Sequence, residues 1–312
     1  MIRAVPAWQR LDTPAWALGE SPFWHPDEQR LYWVDILGKK VLRISLGAGP
    51  VEQWDMPTEP GCIAPARGGG LVLALRHGIF RARSWGGTLE KLATLPYDTA
   101  TVRANDGKCD AQGRFWVGTL DETKARHAAA LFSLEAQAGS ALAPLHLACK
   151  VVDATTGNGL AWSPSGTTLY WADTAAHCVH AWDFDGSDNS LLAHRVHLRF
   201  DAKPAGWIPG APGYGGRPDG AAVDVKGNYW LAMYEGRRIA CFAPDGTLLR
   251  ELLTPVQCPT MPCFGGPDLK TLYITTARQG RSAGELAAMP HSGSVFCLPV
   301  EVPGLPVNFF AD

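Results

Sequence analysis

Six times along the chain, a polar turn containing Gly, Asp or Pro is followed by a short run of aromatic and aliphatic residues. The first three runs are Leu31-Tyr32-Trp33-Val34 after His25-Pro26-Asp27, Leu71-Val72-Leu73-Ala74 after Gly68-Gly69-Gly70, and Phe115-Trp116-Val117 after Ala111-Gln112-Gly113. The other three are Leu169-Tyr170-Trp171-Ala172 after Ser163-Pro164-Ser165-Gly166, Tyr229-Trp230-Leu231-Ala232 after Val225-Lys226-Gly227, and Leu272-Tyr273-Ile274-Thr275 after Gly266-Pro267-Asp268. Glycine supplies the positive φ of tight hairpin turns, and bulky aromatic and β-branched side chains suit a pleated surface, so each run is predicted to be a strand. The run centres Trp33, Leu73, Trp116, Trp171, Trp230 and Ile274 stand roughly 40–60 residues apart, room for four antiparallel strands with their loops. Second hairpins show at Val41–Ile44 and at Arg238–Phe242. One small sheet cannot bury both of its faces, whereas radial stacking of repeated sheets can. The expected fold is therefore all-β, a six-bladed β-propeller of four-stranded antiparallel blades, with residues 1–312 as one domain. A β-sandwich or jelly roll is the alternative, but two packed sheets do not call for six copies of one phrase.

Composition narrows the function classes. Hydrophobic residues are 46% and charged residues 19% of the 312, an ordinary globular balance. Lys and Arg number 28 against 30 Asp and Glu, a net charge of −2 with no basic stripe, so no nucleic-acid partner is expected. No apolar stretch approaches the ~18 residues of a bilayer span, so no membrane association is expected either. Met1–Pro6 lacks the apolar core of a signal peptide, which points to the cytoplasm. The eight cysteines (Cys62, Cys109, Cys149, Cys178, Cys241, Cys258, Cys263 and Cys297) are widely scattered and read as free thiols. His177 and His180 are read as lying on opposite faces of a strand, hence surface or satisfied histidines.

There is no P-loop, H-E-x-x-H or dinucleotide fingerprint. What remains is a set of polar residues in segments read as loops before the repeated strands. They are Glu20 in Leu18-Gly19-Glu20-Ser21-Pro22, Arg103 and Asn105 in Arg103-Ala104-Asn105-Asp106-Gly107-Lys108, Asn158 in Gly157-Asn158-Gly159, and Asp219 in Arg217-Pro218-Asp219-Gly220. Equivalent segments of successive blades converge on one end of a propeller channel. Two carboxylates with carboxamide oxygens make a hard, all-oxygen site suited to Ca²⁺, Mg²⁺ or Mn²⁺. Each phrase taken singly is also an ordinary turn former. Asp106, Asp110, Asp173 and Asp224 are read as structural turn or blade residues.

These phrases, with Gly113–Thr119, Asn158–Pro164 and Phe264–Thr275, resemble the regucalcin/gluconolactonase family of six-bladed propeller lactonases from about Leu18 to Cys297. The resemblance implies that Glu20, Asn158 and Asp219 bind one divalent cation (Ca²⁺, Mg²⁺, Mn²⁺, Zn²⁺ or Fe²⁺). It implies that Arg103 and Asn105 contact a small-molecule sugar lactone, and that Asp219 is the general base. Many relatives carry a further acidic residue where this chain has Thr123, and Glu122 is the available substitute substrate contact. Asp201–Gly220 holds six Gly and four Pro and reads as a lid, an oligomer contact or a long loop. A monomer or weak homo-oligomer is expected. An organophosphate- or aryl-ester-cleaving propeller and a non-enzymatic calcium-binding propeller remain open beside the lactonase.

Overall fold

The computed structural model describes residues 2–136 and 145–312; Met1 and residues 137–144 lie outside them. Nearly all regular structure is β, in six antiparallel sheets. Blades 1 to 5 each take four consecutive strands from the chain. Their inner strands are Gly19–His25, Pro60–Pro65, Val102–Cys109, Gly157–Trp162 and Arg217–Val223. Blade 6 has the inner strand Pro259–Gly265, followed by Thr271–Thr276 and Phe296–Pro299, and its outer strand is Gln9–Arg10 from the start of the chain. Ile2–Ala4 adds a parallel fifth strand to blade 5. Among the described residues a single short helix, Ala283–Ala288, interrupts blade 6. Each inner strand packs against the inner strands of the two neighbouring blades, and the last meets the first, so the six form a closed ring. The six-bladed propeller read from the repeats is the fold.

The aromatic runs explain the closure. All six lie on the second strands of the blades, and Trp33, Trp116, Trp171 and Trp230 are at most 2% exposed. The apolar core is divided into six wedges, one at every blade interface. Blades 1 and 2, for example, share Phe23, Tyr32, Val34, Ile63, Leu71 and Leu73, whereas blades 3 and 4 share Trp116, Leu131, Leu160, Trp162 and Trp171. A strand such as Leu31-Tyr32-Trp33-Val34 is buried on both faces, which is why its apolar run is continuous rather than alternating. Truncating one of these tryptophans to Ala should cost about 3–5 kcal/mol.

Every inner strand carries one extra residue relative to its neighbour, and the six irregularities occur at the same level of the ring. They fall at Glu20/Phe23, Pro60/Cys62, Ala104/Gly107, Asn158/Ala161, Pro218/Ala221 and Pro259/Met261. Such bulges twist the strand and re-aim side chains, here towards the central channel. Below them, residues Leu305–Asn308 of the C-terminal segment line a cavity of about 970 Å³ at the opposite end of the channel. That segment then reaches blade 2, where Phe310 is fully buried and Asp312 pairs with the buried Arg81 at 2.7 Å.

Candidate functional site

Four of the six bulges build one polar cluster. The structure corrects the local reading of these phrases: Glu20, Arg103, Asn105, Asn158 and Asp219 lie within inner strands, not in loops preceding them. Arg217–Gly220 belongs to a strand too, so only residues 201–216 form the irregular segment. Glu20 and Asn158 stand at the last regular pairs before their bulges, facing Val34 and Ala172, whereas Asn105 and Asp219 occupy the bulges themselves. The residue after Asn158 must be glycine. Gly159 has φ +59, and a Cβ there would meet the Tyr229 Oη at 2.5 Å, the same hydroxyl that donates to the Gly159 carbonyl at 2.6 Å. After Glu20, the comparable left-handed position is taken by Ser21 at φ 49, whose Oγ accepts from the Ile63 amide at 3.0 Å.

A hydrogen-bond chain runs across three blades. The Arg103 Nη1 donates to the Asn105 Oδ1 at 2.8 Å, and the Asn105 Nδ2 donates to the Asn158 Oδ1 at 2.9 Å. The Asn158 Nδ2 in turn donates to the Thr174 Oγ1 at 2.7 Å, and that hydroxyl donates to the Pro218 carbonyl at 2.7 Å, next to Asp219. This sequence sets both amide orientations, leaving the Asn158 oxygen on the side of Asn105. Arg103 is buried, and burial pulls its proton affinity down despite the facing Glu122. Its Nε lies 3.6 Å from Glu122, which is held from its other side by Arg76 through bonds of 2.8 and 3.0 Å. Glu122 is thus tied up at the rim, and the Thr123 hydroxyl donates to Asp121 at 2.6 Å.

Glu20 and Asp219 are both buried, at 6% exposure, and among the described residues neither has a Lys, Arg or His nitrogen within 4 Å. Burial, then the nearby Asp219 and Asp106, raises the Glu20 carboxyl well above its ordinary value. Burial pushes Asp219 up to about 8, against the pull of Arg217. Two close carboxylates without a cation are costly to ionise together, and a bound divalent cation relieves that cost. The donor set therefore fits such an ion: two carboxylates and a carboxamide oxygen, all oxygen and all buried.

Two residues of this region are not conspicuous in the sequence. Asp106, read as a turn residue, lies within the inner strand of blade 3 at 3% exposure; its Oδ2 accepts from the Leu160 amide at 2.9 Å and its Oδ1 has no partner. Its effect on both Glu20 and Asp219 places it beside the cluster. Lys124, exposed in the turn after Thr123, is pulled down by partial desolvation and then by Arg217 and Arg103. Asp110, Asp173 and Asp224 are saturated by turn and strand donors, as a structural reading requires. His177 precedes its strand in a turn rather than sharing one with His180, and it contacts the Tyr214 hydroxyl at 3.1 Å. All eight cysteines are free.

The family profile described as the SMP-30/gluconolactonase/LRE-like region matches residues 18–278. The chain belongs to this family. Among its relatives, the 6-deoxy-6-sulfogluconolactonase of Pseudomonas putida is 40% identical over 295 residues, covering 94% of this chain and 95% of that protein. The regucalcin of Gallus gallus is 32% identical over 300 residues, covering 94% and 95%. A solved regucalcin from Agrobacterium tumefaciens, described as a calcium-binding protein, superposes with a TM-score of 0.88 at 24% identity and covers 99% of each chain. That structural likeness carries the propeller fold of the family members. No helix of the described residues is long and apolar enough to cross a membrane.

Proposed function

We propose that the protein hydrolyses a sugar lactone to its sugar acid with the help of one divalent cation. The observation that carries this reading is the pair of buried carboxylates, Glu20 and Asp219, left without a protein cation among the described residues, together with the Asn158 oxygen. Lactonase relatives at up to 40% identity over nearly the whole chain support the same reaction class. In this reading Glu20, Asn158 and Asp219 hold the ion, which supplies Lewis-acid stabilisation of the charge that develops on the carbonyl oxygen. Arg103 orients the lactone through its remaining donors, and Asn105, fixed between Arg103 and Asn158, keeps that orientation. Glu122 at the rim steadies Arg103 and faces the sugar. Asp219 takes the proton from water as the water oxygen bonds to the carbonyl carbon. It then returns the proton to the ring oxygen as the ring C–O bond breaks. No covalent nucleophile is required.

The test is aldonolactone turnover by metal-stripped protein, with Ca²⁺, Mg²⁺, Mn²⁺, Zn²⁺ and Fe²⁺ added back singly and a phosphotriester run in parallel. Activity near the spontaneous rate after stripping, restored by a cation, is expected. Full activity in demetallated protein, or metal binding without turnover of any lactone, would defeat the proposal.

A further inference from the structure

Below the bulges, the central channel holds a cation that the protein leaves without a counter-charge. Every residue of the inner strand Val102–Cys109 is buried except Lys108, which is half-buried and lines the cavity of about 970 Å³. Its Nζ donates to the Ala221 carbonyl of blade 5. Among the described residues no carboxylate oxygen lies within 4 Å of that nitrogen. An ammonium carries three donors, so one carbonyl leaves capacity for a ligand. The carboxylates that line the same cavity, Asp183 and Asp185, are exposed and already engaged by Arg195 and by the Ser187 amide and hydroxyl. A desolvated cation without a partner is costly, and an anion placed beside it relieves that cost.

The walls decide the rest of that anion. Phe23, Ile63, Trp162, Val223 and Met261, from the inner strands of blades 1, 2, 4, 5 and 6, line the space that Lys108 of blade 3 shares. Ser21 and Gly107 carry the lining up to the bulges, but none of Glu20, Arg103, Asn105, Asn158 and Asp219 belongs to it, so the cavity is separate from the candidate site. Its volume lies within the ~300–1,000 Å³ of small-molecule pockets, where apolar walls supply the area and one or two polar groups fix orientation. We propose that the lower channel is a second binding site, for an apolar monocarboxylate whose carboxylate pairs with Lys108 and whose aromatic or aliphatic body fills the space between these walls. The inference stands apart from the lactonase reading, and neither depends on the other.

Octanoate and indole-3-acetate should be titrated by calorimetry into the cation-loaded full chain, each beside its neutral amide, octanamide or indole-3-acetamide. At least one acid is expected to bind about 10- to 100-fold more tightly than its amide, and the two acids together show which body is preferred. Lys108→Met, which keeps the bulk of the side chain, should abolish that preference, whereas Lys108→Arg should keep most of it. Photolabelling with 4-benzoylbenzoate needs no variant. In the unaltered chain the label should fall on the cavity-lining segments 161–168 or 305–308 and be displaced by the tighter acid. Equal binding of acids and amides, an acid preference that survives in folded Lys108→Met, or labelling confined to the Glu20–Asp219 end of the channel would overturn the proposal.

Discussion

Blade 5 carries two buried aspartates, Asp219 within its inner strand and Asp224 just past the end of it, and their environments are opposites. Asp224, at the lower end, accepts from the Lys226 and Asn228 amides at 2.9 Å each, from the Asn228 Nδ2 at 2.8 Å and from the Trp230 Nε1 at 3.0 Å. Asp219, in the bulge above, has no Lys, Arg or His nitrogen within 4 Å among the described residues and is pushed up to about 8. Blade 3 repeats the contrast, with Asp110 bonded to the Gln112 and Arg114 amides, the Arg114 guanidinium and the Trp116 Nε1, while the Asp106 Oδ1 above it is unpartnered. Burial is common to all four. What separates the structural carboxylates from the candidate functional ones here is whether the protein supplies their donors.

The contrast is sharpest in catalysis. Asp219→Asn, fully metal-loaded, should lose about 10²–10⁴-fold in kcat, because the amide keeps a coordinating oxygen but cannot take a proton. Glu20→Gln, checked for equal occupancy by metal analysis, should lose less; equal losses would make Asp219 a ligand alone. Asp224→Ala should act on stability instead. It strands a buried indole N–H and two amides, so about 2–5 kcal/mol should be lost, read as a lower urea midpoint at unchanged m-value. In metal-free protein Asp219→Asn should move the same midpoint upward at neutral pH, since it removes a buried carboxyl that is costly to ionise.

Arg103→Ala should cost about 1.5–3 kcal/mol of transition-state binding, read from kcat/KM. It should also release the Asn105 amide, so Arg103→Lys should recover charge without recovering that orientation. Wild-type kcat/KM in both variants would place Arg103 outside the site. A further effect is in pH. Asp219 holds its proton more tightly in the folded protein than at the ~3.9 of an unfolded aspartate. Between about pH 4 and 8 the folded state therefore binds more protons, and the stability of metal-free protein should fall as pH rises through that window, then level off. Glu20 acts in the same direction. Saturating metal, or Asp219→Asn, should flatten the profile in a denaturation series.

The same contrast explains what the sequence discloses. The second strands announce themselves because both their faces are apolar, so Trp33, Trp116, Trp171 and Trp230 mark the blades directly. Inner strands do not, because their bulged segments use the vocabulary of turns. Asn105-Asp106-Gly107 and Pro218-Asp219-Gly220 look like loop tips, yet they are buried strand residues facing a channel. The residue types that suggest a metal site are visible, but the bulge that aims them is not, since one extra residue in a pairing leaves no local signature. Asp106 and Asp110 cannot be told apart by composition, because the difference lies in donors such as the Leu160 amide of the next blade. Gln9–Arg10 is illegible for a further reason: a two-residue strand is defined wholly by its partner, Phe296–Cys297.

That pairing joins residues such as Gln9 and Cys297, which stand 288 positions apart. Until the sixth sheet has been synthesised, the outer strand that completes it has no partner, and the wedge between blades 6 and 1, containing Trp16, Trp24 and Tyr273, is open. The ring must therefore wait for its longest-range contact, and during that wait an incomplete chain exposes sheet edges and aromatic side chains that favour association. Once joined, the first and last sheets can separate only by breaking that wedge together with the strand pairing. Closure is thus expected to slow assembly and to oppose disassembly, tying the persistence of the folded ring to a contact far from the candidate site.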